Sequence, residues 1–362
     1  LELEERATGG REQRREILLR QAHLEEVGGA LEAALAHYQE VADATGDLRA
    51  TLGIAATLRK QGDYGRVLAV VGEARDRPGL TAVELAGLAL EEGSVWSIMG
   101  DIPRAIEVLE GALAALGSGL DTSLRGRLLI TLARAEQTVE RGDQALVHAE
   151  QACACFEQDE NLDGLVTALR VLGGVIQGAT EDDRTAAVRA RETLERALAL
   201  ARRVGNAEET GACLINLGRV VQELGLFEDA LRYDTEAVEA FQTIGVRAGV
   251  ACGYCNLAQD LAFLRRWEEA LEAAQHGLAV AREIGSEIWI TGGLNGSALA
   301  MISLGRHREA QAAAAEAIAR SEAAGFTDRL RYALGFGIEA HLALGENDEA
   351  GELERRLAAL DA

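Results

Sequence analysis

The sequence predicts an all-α solenoid of about nine helix-turn-helix units, on three observations. Gly205, Gly245, Gly285 and Gly325 stand 40 residues apart, and Gly225, Gly305 and Gly345 keep that register, with Arg265 in the missing place. Alanine repeats in the same way at Ala190, Ala230, Ala270, Ala310 and Ala350. The chain is rich in Ala and Leu and has only 2 prolines, which suits helices, since Ala and Leu lose little on entering one and Pro breaks it. A fixed period of roughly 20–50 residues marks a stacked repeat rather than a single globular core.

Each period reads as two helices. From Ala207 to Leu224 apolar residues fall at helical spacing, including Leu214, Leu217 and Val221. Gly225 then supplies a left-handed residue that ends a helix without a Cβ penalty. Glu228 to Ile244 is the second amphipathic stretch, and Gly245 stops it. Ala230 and Ala237 lie two turns apart on one face, where small side chains let helices approach closely.

The pattern extends toward the start with looser spacing. Gly28 and Gly29 split the first clear unit, Gly62 ends a helix that begins near Leu48, and Gly100 and Gly142 mark two more units. The interval from Ala145 to Ala190 is longer than 40, and the polar run 179–183 reads as an enlarged loop. The expected units are 11–47, 48–79, 80–118, 121–158, 161–205, 206–245, 246–285, 286–325 and 326–362, in one continuous solenoid.

The motifs inside these units resemble the tetratricopeptide repeat (TPR) family. Asn216-Leu217-Gly218 is followed by Gly225-Leu226-Phe227-Glu228-Asp229-Ala230 and then Ala237. Gly100-Asp101-Ile102-Pro103-Arg104-Ala105 leads to Ala112, and Asn256-Leu257-Ala258 to Trp267-Glu268-Glu269-Ala270. The period exceeds the family's usual ~34 residues, and the Pro that usually follows the second helix is absent, so the likeness is to the long-repeat branch of bacterial regulators and kinesin light chains. The resemblance implies a right-handed superhelix whose first helices line a concave groove.

Composition narrows the partners. With 36 basic and 59 acidic residues the net charge is −23, the opposite of the basic footprint that phosphates or anionic lipid require. Nucleic acid and membrane are therefore not expected as partners, and a neutral or basic one is. No run of ~18 apolar residues could span a membrane. Five cysteines, odd in number and irregular in spacing, fit reduced thiols and a cytoplasmic protein. The chain starts in an amphipathic helix without Met, so we expect a piece of a larger protein.

Chemical motifs are weak. Cys252-Gly253-Tyr254-Cys255 has dithiol spacing but sits inside a first helix, where the preceding repeat has Ala212 and Ile215, so packing is the expected role. Cys153 and Cys155 point to different sides of a helix, and the histidines are scattered, so no metal is expected. There is no Gly-Lys-Ser/Thr phosphate loop and no Gly-x-Ser-x-Gly elbow. The sequon Asn295-Gly296-Ser297 lies in a helix and reads as a chance match. No catalytic residue or cofactor is expected.

On the implied groove face the candidates are Ile215, Asn216, Arg219 and Gln222, then Cys255, Asn256 and Gln259, then Asn295 and Leu299, and last Tyr332, Phe336 and Glu339. A side-chain amide both donates and accepts, so Asn216 and Asn256 suit a peptide backbone, as in long-repeat relatives that bind peptides. Each could equally brace the neighbouring repeat. A clamp for a terminal carboxylate is not expected, because the matching places hold Ile215, Cys255 and Asn295 without Lys. The expected function is an interaction module that holds a protein or peptide, with room for a homo-oligomer. The alternative is the sensor region of a larger bacterial signal-transducing ATPase or transcription regulator. An enzyme using Cys252 and Cys255 is the third reading.

Overall fold

The computed structural model describes residues 2–117, 121–139, 141–178 and 183–360. These form 18 helices and no strand among the described residues. The chain divides into two compact units, residues 1–180 and 181–362. The first holds α1 (Glu2–Val27), α2 (Leu31–Thr45), α3 (Leu48–Gln61), α4 (Tyr64–Arg75), α5 (Ala82–Met99), α6 (Ile102–Leu116), α7 (Thr122–Gln137), α8 (Gly142–Gln158) and α9 (Leu162–Gln177). The second holds α10 (Asp183–Val204), α11 (Ala207–Glu223), α12 (Phe227–Thr243), α13 (Arg247–Phe263), α14 (Trp267–Glu283), α15 (Glu287–Ser303), α16 (His307–Ala324), α17 (Thr327–Leu344) and α18 (Asn347–Leu360). The enlarged loop expected at 179–183 lies outside the described residues, apart from Asp183, where α10 begins.

Within each unit the packing is that of a solenoid. Each helix packs on the next, and each odd-numbered helix also touches the following odd-numbered one, whereas the even-numbered helices do not touch one another. The odd helices of a unit thus form an inner layer and the even ones an outer layer. In the second unit the inner layer is α11, α13, α15 and α17, the first helices of the sequence register.

The 40-residue glycine register is a register of helix ends. Gly225, Gly245, Gly285, Gly305, Gly325 and Gly345 all have positive φ. Arg265, in the place of the missing glycine, is held there too, at φ 58°. Its turn closes like the others: Arg266 N–H donates to Leu261 O at 2.8 Å, as Leu226 does to Val221 O at 2.9 Å.

The alanine register is the packing face. Ala190, Ala230, Ala270, Ala310 and Ala350 are all buried. A second device recurs in both units, a ring slotted between glycines of two inner helices. A Cβ on Gly211 or Gly249 would stand 2.7 or 2.5 Å from the Phe241 ring, and one on Gly126 or Gly164 2.7 or 2.2 Å from Phe156. Without side chains at these glycines the rings pack directly on helix backbone, which gives a chain with few aromatics a dense core.

Candidate partner-binding groove

The inner helices α13, α15 and α17 enclose a cavity of about 880 Å³, near the upper end of ligand-pocket sizes. α13 contributes Cys255, Asn256, Gln259 and Phe263, and Trp267 opens α14 beside them. α15 contributes Ile288, Trp289, Gly292, Asn295, Gly296 and Leu299. Phe326 and the first two turns of α17 add Thr327, Asp328, Arg329 and Tyr332, and Phe336 follows. The chain has 3 Trp, 5 Tyr and 6 Phe, and six of these rings line this one cavity. Phe263 also stacks on Phe227, with centroids 4.7 Å apart, which extends the apolar surface to the start of α12.

Several of these side chains project outward. Tyr332 is 63% exposed and Phe263 50%. Exposing large rings costs solubility without helping the fold, which makes this cluster a candidate interaction surface. The polar groups are few. Asn295 is buried; its Nδ2 donates to Arg329 O at 3.1 Å, and its Oδ1 has no hydrogen-bond partner. The Arg329 guanidinium stands 5.6 Å from the centroid of the Trp289 ring.

Of the residues the sequence marks for the groove, the cavity brings together Cys255, Asn256, Gln259, Asn295, Leu299, Tyr332 and Phe336. Ile215, Asn216, Arg219, Gln222 and Glu339 are not part of its lining. Arg219 is exposed, 3.9 Å from Glu223, and Glu339 is exposed near the middle of α17. Ile215 and Asn216 are half-buried on α11. Gln222 turns inward, where its Nε2 donates to Asp260 Oδ1 at 2.8 Å. Asn256 both lines the cavity and donates to Asp234 Oδ1 at 3.3 Å, so it braces α12 while facing the groove.

Sequence reasoning missed Trp267, Trp289, Phe326 and Arg329, which reach the cavity from helix starts and turns rather than from the middle of a first helix. The signal that could have found them is the crowding of aromatics between residues 254 and 336 of an aromatic-poor chain.

The thiols behave as packing groups. Burial raises Cys252 to about 12 and Cys255 to about 11, so both are neutral thiols at physiological pH. Cys255 Sγ–H points to Trp289 O at 3.8 Å. No group of three or more His, Cys, Asp and Glu among the described residues could hold a metal ion. The sequon at Asn295 is sterically closed, because that side chain is buried inside α15.

Comparison with known proteins gives the fold. The tetratricopeptide repeat family model matches residues 187–243. A search of the curated proteins found no match. Among solved structures, a Rap protein complexed with Competence and Sporulation Factor superposes with a TM-score of 0.67 at 17% identity, over 96% of this chain and 98% of that one. A signal transduction ATPase with numerous domains (STAND) from Pyrococcus horikoshii, with a tetratricopeptide repeat sensor, gives 0.69 at 16% identity over 96% of this chain; this chain spans about half of it, 53%. The apo form of the quorum sensor NprR from B. thuringiensis gives 0.65 at 13% identity, over 99% of this chain and 100% of that one. Repeat register, inner and outer helix layers, and these likenesses agree on the fold, a stack of helix-turn-helix repeats similar to that of tetratricopeptide repeat proteins.

Proposed function

We propose that the chain is a protein- or peptide-binding module, and that the partner lies in the cavity across α13, α15 and α17. The observation that carries this reading is the concentration of six aromatic rings in that cavity, two of them, Phe263 and Tyr332, exposed. Interfaces draw most of their energy from a few such rings in a desolvated pocket, with near-neutral contacts around them. Asn256 and Gln259 on α13 and Asn295 on α15 bring amides to the cavity wall, groups that suit an extended backbone. In this reading Ile215, Asn216 and Arg219 on α11 and Glu339 on α17 would flank the occupant, whereas Gln222 is turned inward to Asp260. The solved Rap protein holds Competence and Sporulation Factor, and NprR is named a quorum sensor, which supports a peptide as the occupant. The module acts in this reading as a cytoplasmic regulator without chemistry of its own.

A second reading, a sensor region within a larger signal-transducing ATPase, is favoured by the STAND protein, of which this chain spans about half. The sequence that flanks this chain in its gene distinguishes the two: a nucleotide-binding domain there supports the sensor.

The test of the groove is comparative capture. Wild-type chain and Tyr332→Ala are used as bait, and each species lost with the variant is purified and titrated against both. Tyr332 is exposed, so its removal leaves the fold intact while costing at least about tenfold in affinity. Equal affinity for Tyr332→Ala and for Phe263→Ala would place the partner elsewhere. Asn216→Ala combined with Asn256→Ala should weaken the same partner with helix content unchanged; unfolding instead would make both residues braces.

A further inference from the structure

Behind Asn256 the fold buries two carboxyl groups against each other. Asp234 on α12 is 1% exposed and Asp260 on α13 is 0% exposed. They stand within hydrogen-bonding range of one another, a contact that requires a proton on one of them. Amides hold the pair from both sides: Asn256 Nδ2 reaches Asp234 Oδ1, and Gln222 Nε2 from α11 reaches Asp260 Oδ1. Asp260 Oδ2 is buried without a hydrogen-bond donor. Gly218 on α11 makes the space, since a Cβ there would stand 2.6 Å from Asp234 Oδ2.

Among the described residues no cation pairs with either acid. The basic side chains of α11 to α14 are Arg219, Arg232, Arg247, His276 and Arg282; Arg232 pairs with Asp229, Arg247 with Glu283 and Arg282 with Glu316. Other titratable groups of these helices include Glu223 on α11, Tyr233 on α12, and Cys252, Tyr254 and Cys255 on α13. Arg219 pairs with Glu223, His276 packs edge-on against Tyr254, and Cys252 is the thiol that feels Asp234. Arg329, from α17, acts on the two thiols rather than on the carboxyls. On α15 the one charged side chain is Glu287, which pairs with Arg320.

We propose that Asp234 and Asp260 are positioning residues of the groove, which hold Asn256 in the cavity wall through a shared proton and so link occupancy of the groove to the protonation of the pair. The inference rests on the reading of the α13, α15 and α17 cavity as a binding groove. With the proton in place the pair carries one negative charge, Asn256 spends its amide N–H on Asp234, and its carbonyl is left for a partner. Without it, two buried negative charges face each other with only two amides to stabilise them. The contact between α12 and α13 then opens to water, and Asn256 moves with it. Binding therefore favours the protonated pair, and by linkage an occupant raises the proton affinity of the pair. Burial, and then the neighbouring charge, hold Asp234 well above the ordinary aspartate value, and burial raises Asp260 to about 6, so the device works in mildly acid to neutral solution.

The test uses the whole chain with Trp96→Phe, which leaves Trp267 and Trp289, both in the cavity wall, as the fluorophores. Tryptophan emission and ¹³C-aspartate carboxyl shifts are followed from about pH 4.5 to about pH 8. The expected result is one emission step that coincides with the titration of two carboxyls at raised values. Asp234→Asn and Asp260→Asn, each checked for helix content by circular dichroism, should both abolish the step. Carboxyl titration without an emission step, or a step that survives in both folded variants, overturns the proposal. The partner recovered by comparative capture should bind the wild type at least about fivefold more weakly at pH 8 than at pH 5, and equal affinity also overturns it. A proton-linked emission step with no partner that depends on Tyr332 or Phe263 would instead refute the groove and leave the positioning of Asn256 standing.

Discussion

Among the described residues of 1–180 each buried glutamate meets a basic side chain, whereas among those of 181–362 the two buried aspartates meet each other. Glu91 lies 3.0 Å from Arg59, Glu26 lies 2.9 Å from Lys60, Glu136 lies 2.7 Å from His148, and Glu92 pairs with Arg75. Asp234 and Asp260 have only amides and a shared proton. The cavities differ in the same sense. The second cavity, about 830 Å³ among α4, α5 and α6, is lined by Arg75, Glu92, Asp101, Arg104 and Glu107 among small apolar residues, with no aromatic ring. The first unit gives its buried glutamates basic partners, and its cavity is a charged one. The second unit concentrates rings in its cavity and replaces ion pairs by proton sharing. One repeat architecture thus supports a half whose buried acids have basic partners and a half whose buried acids meet each other.

The largest expected effect probes what the two units share. Phe156→Ala and Phe241→Ala each empty a ring slot between two glycines and should cost about 3–5 kcal/mol, read as lost amide-exchange protection in the helices of the unit concerned. A much smaller loss in one unit would show that the slot is not a common device.

Next, Arg59→Ala strands Glu91 in the first unit. Breaking a buried pair costs about 3–5 kcal/mol. Arg59 is partly exposed and Arg127 stands 4.0 Å from Glu91, so about 2–3 kcal/mol is expected in urea unfolding. A loss below about 1 kcal/mol would mean that the first unit does not depend on compensated charge.

The pH response separates the halves more finely. The pair's folded values lie above those of unfolded aspartate, ~3.9. Its contribution is therefore fully present below about pH 4 and is lost as pH rises through about 6 at Asp260. The second unit should lose on the order of 1–2 kcal/mol across that window, and Asp260→Asn should flatten the slope. A slope unchanged in Asp260→Asn would assign it to other groups.

The smallest effect is at Arg265. A non-glycine residue in the left-handed region is strained by about 1–2 kcal/mol, partly offset by the backbone entropy glycine loses on folding. Arg265→Gly should stabilise the second unit by up to about 1 kcal/mol, measured by thermal unfolding.

Much of this molecule was legible as text because its regularities are local in the chain. The Gly and Ala registers mark helix ends and packing faces, and the structure has those glycines at positive φ and those alanines buried. Even the exception at Arg265 was visible as a gap in the register. The groove was legible only in part. The middle-of-helix rule placed Asn256, Gln259, Asn295, Leu299, Tyr332 and Phe336 around one cavity, but it also named Gln222, which turns inward to Asp260, and it passed over Trp289 and Arg329.

The sequence by itself determined the fold class and the glycine and alanine registers, because helix periodicity and helix termination depend on residues within one or two turns. Only the tertiary structure decided that Trp267, Trp289, Tyr332 and Arg329 share one cavity, and that Asn256 joins that cavity to a buried acid pair. Those relations join side chains from different helices, up to 76 positions apart in the chain, and they exist only once helix packing has set the distances and removed the water.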